Sequence, residues 1–556
     1  MNPAQLLAHF DRMADAPDAV QRLRQFVLDL AIRGKLVPQD PKDEPAVELL
    51  KGIQTENSHS TGRGANKSKE IQVLATEEEP FSRPLNWVWV RLGDICSKTG
   101  SGSTPRGGQA VYAEHGIPFL RSQNVHDDGL RLDDVAYIDH DTHRKMSGTA
   151  VRPADLLLNI TGGSMGRCCR VPDFFADANI SQHVAIIRVA IPGMQDFLHR
   201  LVLSPYFQAF IFDEQTGAGR GGLPKNKMDL IPVAIPPLAE QRRIVAKVNE
   251  LMALCDQLEA AQAERERRRD RLTAATLQRL SQPAEDAPEF RDHARFALDQ
   301  LPRLATRPEH VTQLRQTILN LAVRGKLVPQ DPKDEPARVL LGSRTLTVAP
   351  ESDFRLPAGW AWTTFRDLGE TLGGGTPNKG NSDFWSGSIP WVSPKDMKVD
   401  FIEDATDHIS EAAIENSSAK LIPPGSLLMV VRGMILAHSF PTAVSRVPLA
   451  INQDMKALQP FRTDLLPMLH LLTKGLKCDV LRLVQRSTHG TCKLLTDDLF
   501  CLPIPCPPLA EQQRIVTKVD ELMALCDRLE SQLTTAQTES RRLLEAVLHE
   551  ALTPVA

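Results

Sequence analysis

The chain lacks most of what would mark it as an enzyme. It has no GxxxxGK(S/T) phosphate loop and no (D/N)PP(Y/F) tetrapeptide of the kind that holds a target amine for methylation. Neither ATP turnover nor amino-methyl transfer therefore has a recognisable site, and no catalytic residue is assigned. The nine cysteines are scattered, with no CxxC pair and no His/Cys cluster at zinc spacing, which argues against a disulfide framework and a structural metal. Cys255 and Cys526 are read as small buried hydrophobes. No apolar run reaches the length of a membrane span, and the N-terminal MNPAQLLAHFDRMADAP is too charged for a signal peptide. A cytoplasmic protein with reduced thiols is expected. Net charge is also scarce: 65 Lys+Arg against 69 Asp+Glu leave −4, so any nucleic-acid contact needs local basic patches. One GxGxxG occurs, at Gly217, Gly219 and Gly222. It opens no evident helix and meets Pro224 at once, so a dinucleotide site is rejected.

What is present is repetition. PPLAEQRRIVAKVNELMALCDQLE, 236–259, returns as PPLAEQQRIVTKVDELMALCDRLE, 507–530. Each double proline stops what precedes it, and good helix formers follow. Ile244, Val248, Leu251, Cys255 and Leu258 recur in steps of four and three, the spacing of one apolar seam. Ile515, Val519, Leu522, Cys526, Leu529, Leu533, Ala536, Leu543 and Val547 continue it in the second copy, with Ser540 the polar exception. Two such helices most simply bury their seams against each other; the alternative is two surface helices on separate domains. A shorter repeat, RGKLVPQDPKDEPA, occupies 33–46 and 324–337, each time after a helix that Gly34 or Gly325 closes.

Between these elements lie two variable regions of similar length, which share only a skeleton. NWVWVRLGDI matches GWAWTTFRDL, and GSGSTP at Gly100 matches GGGTP at Gly373. GIPFLRSQNV at Gly116 matches SIPWVSPKDM at Ser388, DLLLNITGG at Asp155 matches SLLMVVRGM at Ser426, and NISQHVA at Asn179 matches AINQDMK at Ala450. The tryptophans are expected in the core. Short apolar runs bounded by Gly, Pro and Asn predict strands joined by exposed loops, with helices near 197–212 and 465–484. Each region is read as a small α+β domain. The expected layout is an N-terminal helix and repeat element (1–50), a flexible polar insertion (51–80), domain 1 (81–235), a central coiled-coil helix (236–280) and a linker (281–305). The second copy of the repeat element (306–345), domain 2 (346–506) and a C-terminal coiled-coil helix (507–556) follow. AERERRRDR, 263–271, is read as a solvated helix face.

This double layout resembles the specificity subunit of type I restriction-modification systems. The resemblance is carried by the RGKLVPQDPKDEPA pair, the PPLAEQ(R/Q)RIV pair, and the W-x-W, G-G-T-P, I-P-(F/W) and I-(S/N)-Q signposts. It implies an α+β fold in which two target-recognition domains are joined by two long helices in an antiparallel coiled coil, with an internal pseudo-two-fold repeat. It further implies a non-catalytic reader of double-stranded DNA, one domain per half-site of a bipartite target. Two modification subunits would bring S-adenosylmethionine, and two restriction subunits would use ATP and Mg; no cofactor is expected on this chain. The rival reading is a protein-protein scaffold with two peptide- or subunit-binding domains.

Base edges are read by Arg, Lys, Asn and Gln, while Ser and Thr grip phosphates. The loops of the first domain offer Ser103, Thr104, Arg106, Arg121, Gln123, Asn124, Arg220, Lys225 and Lys227. Those of the second offer Thr376, Asn378, Lys379, Lys395, Arg432, Lys474, Arg486, His489 and Lys493. The alternative for each is an ordinary solvated loop residue. Gln182 and Gln453, within apolar strands, are read as structural hydrogen-bonding groups. The likeness of the two short repeats assigns Arg33, Lys35, Leu36, Arg324, Lys326 and Leu327 to docking two equivalent partners; the alternative is that both copies pack on their own long helices.

Overall fold

The computed structural model describes residues 16, 18–59, 71–175, 177–213, 222–281, 287–346, 355–486 and 491–552. The chain forms two compact units, Met1–Glu264 with Gln537–Ala556, and Arg265–Ala536.

In the first unit one antiparallel sheet runs Cys96–Ser101, Val184–Val189, Leu156–Asn159, Cys168–Arg170. A second runs Ala136–Ile138, Ile117–Leu120, Ala178–Ile180, Ala150–Val151, its two central strands parallel. A separate pair, Val88–Arg91 with Pro232–Ile235, ties together the two ends of the domain. The strand Leu156–Asn159 is buried at every position, which is why its sequence is a continuous apolar run rather than an alternation. In the second unit the same strand order recurs. One sheet runs Gly369–Gly373, Met455–Pro460, Leu427–Val430, Thr442–Ser445, with Phe401–Ile402 added at the edge. The other runs Asp407–Ile409, Ile389–Val392, Leu449–Ile451, Leu421–Ile422, again with a parallel central pair. Ala361–Thr364 with Pro503–Cys506 ties the domain ends. Helices Gln195–Val202 and Pro205–Asp213, and Leu466–Gly475 and Lys477–Arg482, stand where the sequence predicts them. Trp87, Trp89 and Trp360 are buried, as expected, and Trp362 is half-buried.

The short repeat is explained within each unit. Gly34 and Gly325 both take φ of +66°, the left-handed turn that closes a helix. A Cβ at either would lie 2.4 Å from a proline ring carbon, of Pro84 or of Pro357, which stands three residues before Trp87 or Trp360. Gln39 Nε2 donates to Glu240 Oε1 at 2.7 Å, and Gln330 Nε2 to Glu511 Oε1 at 3.1 Å. Arg243 grips Asp43 through two bonds of 3.0 and 2.6 Å; Arg514 grips Asp334 through two of 3.2 and 2.6 Å. Each fourteen-residue element thus docks on the first turns of its own long helix, Leu238–Ser281 or Leu509–Leu552. The PPLAEQ motif supplies the receiving end. Gln241 Nε2 caps the Pro236 carbonyl and Gln512 Nε2 that of Pro507, both at 2.9 Å. Burial raises the pKa of Glu240 and of Glu511, against the hydrogen bonds from Gln39 and Gln330.

Ile244, Val248 and Leu251 pack into the core of the first unit, and Ile515, Val519, Leu522 and Cys526 into that of the second. The proximal halves of both seams therefore lie on their own domains, because each domain offers an apolar surface directly beside the helix start. The N-terminal helix Ala19–Ile32 bridges to Asp256 and Glu259 through Arg24, and to Glu545 through Arg22. In the second unit helix Pro308–Val323 makes the matching bridge from Arg315 to Asp527 and Glu530. Within that unit Thr276, Leu277 and Leu280 line one groove of about 470 Å³ together with Leu522, Cys526 and Leu529.

Two expected segments differ. The stretch 281–305, expected as a linker, holds helix Ala287–Leu304, whose Ala294 and Ala297 pack on Leu277 and Leu280. Of the polar insertion 51–80, residues 60–70 lie outside the described ones; 51–59 continue helix Ala46–His59 with Ile53 buried, and Leu74 N donates to Trp89 O at 2.9 Å. Both segments are polar overall, but a few apolar residues at helical spacing suffice to pin them. Within 263–271, Glu266 pairs with Arg269 at 2.7 Å and Asp270 with His310 at 2.9 Å, so that charged face is partly engaged by its neighbours. Cys255 and Cys526 are buried.

His199 and His470 occupy the same place in the two domains, each 8% exposed. Burial pushes both down to about 4 from the ordinary 6.5, and His199 keeps one ring contact, to Cys168 O at 2.8 Å. The unfolded chain binds these protons first as pH falls, so the stability is present above pH 6.5 and is lost between 6.5 and about 4, by at most roughly 3 kcal/mol per histidine. Denaturant melts at stepped pH should show this loss, and His199→Gln or His470→Gln should flatten it.

Candidate nucleic-acid interface

One rim of each domain is built from the same loops. The glycine loop after the first sheet strand meets the I-(S/N)-Q turn: Ser103 N donates to Ile180 O at 3.2 Å, and Gly375 N to Ile451 O at 2.9 Å. A Cβ on Gly102 would stand 2.0 Å from Ile180 O, and one on Gly374 2.0 Å from Asn452 O, so this approach admits glycine alone. The turn also meets the strand after I-P-(F/W), through Ser181 N to Leu120 O and Asn452 N to Val392 O, both 2.9 Å. A third loop joins through Ile160 N to His183 O at 3.0 Å and Val431 N to Asp454 O at 2.8 Å. The fourth joins through Leu223 N to Ile160 O and Leu494 N to Val431 O, both 2.9 Å.

Most of the candidate readers stand on this rim. Ser103, Thr104 and Arg106 are exposed beyond the first strand. Arg121 is half-buried and donates to Asp134 O at 3.1 Å; Gln123 Nε2 donates to Asp134 Oδ2 at 2.6 Å. Lys225 donates to Thr99 Oγ1 at 2.8 Å and pairs with Asp229, and Lys227 follows on the same short helix. In the second domain Thr376, Asn378 and Lys379 follow the glycine loop. Lys395 pairs with Asp407 at 2.8 Å, a hydrogen bond that raises its pKa. Arg432 bridges to Lys493, which pairs in turn with Gln485 beside Arg486. Gln123 and Lys395 are structural equivalents: each follows the same strand and leans on a nearby carboxylate, of Asp134 in the loop before strand Ala136–Ile138 and of Asp407 at the start of strand Asp407–Ile409. Exposed pairs of this kind contribute little to folding, so an arriving anion or base edge can replace the carboxylate.

Two candidates change. Asn124 is 1% exposed, and its amide is consumed within the loop: Oδ1 accepts from Arg121 N at 2.9 Å, and Nδ2 donates to Arg131 O at 2.9 Å. It is a loop brace rather than a reader, as is its equivalent Asp396. Burial pushes the Asp396 carboxyl up, yet hydrogen bonds from Thr406 and Ser393 hold it below the usual range. Lys474 belongs to helix Leu466–Gly475 and pairs with Asp400 at 2.7 Å, so it is not on these loops. Arg220 and His489 lie outside the described residues.

The structure adds what sequence reasoning missed. Gln182 and Gln453 are exposed on the turn, not held within strands. Beside them Thr161 Oγ1 and His183 Nδ1 share a hydrogen bond of 2.7 Å, where the second domain sets Arg432 3.9 Å from Asp454. The paired signposts N-I-T-G-G with I-S-Q-H, and V-V-R-G-M with I-N-Q-D, hold this correspondence once aligned.

The residues proposed for partner docking are largely committed within the chain. Arg33 stacks over Phe81 at 4.4 Å, Lys35 Nζ donates to Leu552 O at 2.6 Å, and Leu36 packs on the first core. Arg324 is half-buried, burial lowers the pKa of Lys326, and Leu327 packs on the second core. The likeness of the two copies needs no shared partner, because identical docking on two identical helix starts already demands it. Among the described residues no His/Cys/Asp/Glu group could hold a metal ion, and no helix is long and apolar enough to cross a membrane.

Fold and rim together define a protein with two equivalent recognition modules, each clamped to a long helix by the same short element. A family model described as the type I restriction modification DNA specificity domain matches residues 357–536. The chain is 26% identical over 575 residues to the type I restriction enzyme EcoEI specificity subunit of Escherichia coli, covering 96% of this chain and 94% of that one. It is 27% identical over 576 residues to the EcoAI specificity subunit, with the same coverage, and 38% identical over 169 residues to the EcoR124I/EcoR124II subunit, covering 30% and 42%. Over nearly its whole length the chain is thus similar to type I restriction enzyme specificity subunits, and its second unit matches their DNA specificity domain.

The rim predicts a clean separation between brace and reader. Asn124→Ala should lower stability by roughly 1–3 kcal/mol, since it leaves buried backbone groups unpaired. Gln123→Ala should leave the melting temperature unchanged and alter DNA selectivity; calorimetry and competition binding on one protein batch measure both.

Proposed function

We propose that this chain is the non-catalytic, DNA-reading subunit of a type I restriction-modification complex, each domain meeting one half-site of a bipartite duplex target. The observation that carries the reading is a shared scaffold with divergent tips. The same backbone bonds build both rims, yet Thr161 and His183 stand where the other domain has Arg432 and Asp454, and Gln123 where it has Lys395. Identical ligands would not require different tips. Ser103, Thr104 and Thr376 are assigned to phosphates, and Arg106, Arg121, Gln123, Lys225, Lys227, Asn378, Lys379, Lys395, Arg432, Arg486 and Lys493 to base edges or phosphates.

Two modification subunits carrying S-adenosylmethionine and two restriction subunits using ATP and Mg are the proposed partners, in the cytoplasm. We assign their docking to the exposed faces of the two repeat elements and of the long helices, whose inward faces are already occupied. The two long helices are proposed to run antiparallel, their distal halves meeting as a coiled coil, so that each whole helix of 44 residues forms a strut of about 60 Å at about 1.5 Å per residue that spaces the readers.

Replacing residues 87–235 by the corresponding region of a relative should change one half of the methylated target and leave the other alone. A change in both halves would end the modular reading. Inserting one heptad into both long helices beyond their packed first halves keeps the seam in phase. It lengthens the strut by roughly 10 Å, or about three base pairs of spacer at 3.4 Å each. Methylation mapping that finds an unchanged spacer in an active complex would assign the distance to something else.

A further inference from the structure

We infer that Gln182 and Gln453 are specificity-determining residues that read one and the same base pair, an A·T pair, in the two half-sites. The inference rests on the reading that each domain meets one half-site of duplex DNA.

The backbone under each glutamine is held from two sides, by the glycine loop and by the parallel strand, through bonds of 2.9–3.2 Å. The residues just before them turn inward: Ser181 is 4% exposed and Asn452 7%. The glutamines turn outward. Among the described residues the Gln182 carboxamide makes only a long contact of 3.5 Å, to its neighbour His183, and none holds the Gln453 carboxamide. The fold does not use these side chains, yet both domains place the same one at the same locked position. Immediately around them the positions diverge, Thr161 with His183 against Arg432 with Asp454. A constant exposed residue set among divergent ones meets something that the two half-sites present alike.

Two features of DNA qualify, the phosphate backbone and a base pair present in both halves. A phosphate only accepts hydrogen bonds, so it would use half of a carboxamide, and the rim already offers Ser103, Thr104 and Thr376 for that purpose. A carboxamide places a donor beside an acceptor, the complement of adenine N6 and N7 in the major groove. The chemistry therefore favours the adenine edge.

The test uses the full chain in complex with its modification subunits, mapping methylated sites and measuring binding to duplexes altered at single positions. The unaltered complex should show an A·T pair at the corresponding position of both half-sites. Gln182→Ala should reduce discrimination at that position in one half-site by roughly tenfold to a hundredfold, and Gln453→Ala should do so in the other. Both variants should melt like the parent, since neither side chain supports the fold. Half-sites without a shared A·T pair would overturn the inference, as would an unchanged motif in both variants. A uniform loss of affinity on every sequence with a shallower salt slope would mark a phosphate contact and overturn it too. A parent complex that marks no bipartite sequence would instead overturn the functional reading, and this inference with it.

Discussion

Each half of the protein depends on the contact between a fourteen-residue element and the first turns of a long helix. A buried glutamate, Glu240 or Glu511, sits at the helix start, where the dipole favours its charge and the element's glutamine satisfies it. One helical turn on, an arginine grips the element's aspartate through two bonds. The helix start in turn abuts the strand pair that ties the domain ends, through the tryptophan that packs on the closing glycine. Domain, element and helix are thus referenced to one another by a few short bonds. Loss of the glutamine or of the arginine would leave a largely buried carboxylate without its partner.

That arrangement separates two jobs within one chain. Clamp and scaffold are repeated almost unchanged, while the loops at the rim are free to vary because their side chains point to solvent and their backbone is held by glycine-tight approaches. Gly102 and Gly374 permit the turn to sit against the first strand, which makes the rim geometry independent of what the neighbouring side chains are. A protein that must recognise new targets without losing its fold requires this division. The buried Asn124 and the half-buried Asp396 brace the loops from behind, so the exposed positions carry little of the stability.

The two buried histidines show the same economy in the core. His199 and His470 fill one site in both domains as buried rings, each with a backbone hydrogen bond, to Cys168 in one and Thr442 in the other, and the second also meets the Phe401 ring. The shared position belongs to the scaffold, and the neighbours were free to drift.

The repeats, the long helices, the α+β class of the domains and the absence of catalytic motifs were legible in the residues alone, because helix periodicity, double prolines and duplicated strings are local signals. Which face each element buries was not local. The seams read as a mutual interface, yet their first halves lie on the domains, since an amphipathic stripe names no partner. The repeated fourteen residues read as an external docking surface, and the structure adds an inner face that the helix starts engage through Gln39 and Asp43 in one copy and Gln330 and Asp334 in the other. Asn124 and Gln182 both end in a carboxamide, and their local sequence assigns them the opposite roles, a loop reader for the first and a structural strand group for the second. Only the tertiary structure turned one inward as a brace and the other outward on a locked turn, because a side chain's direction is set by the backbone bonds that distant segments supply.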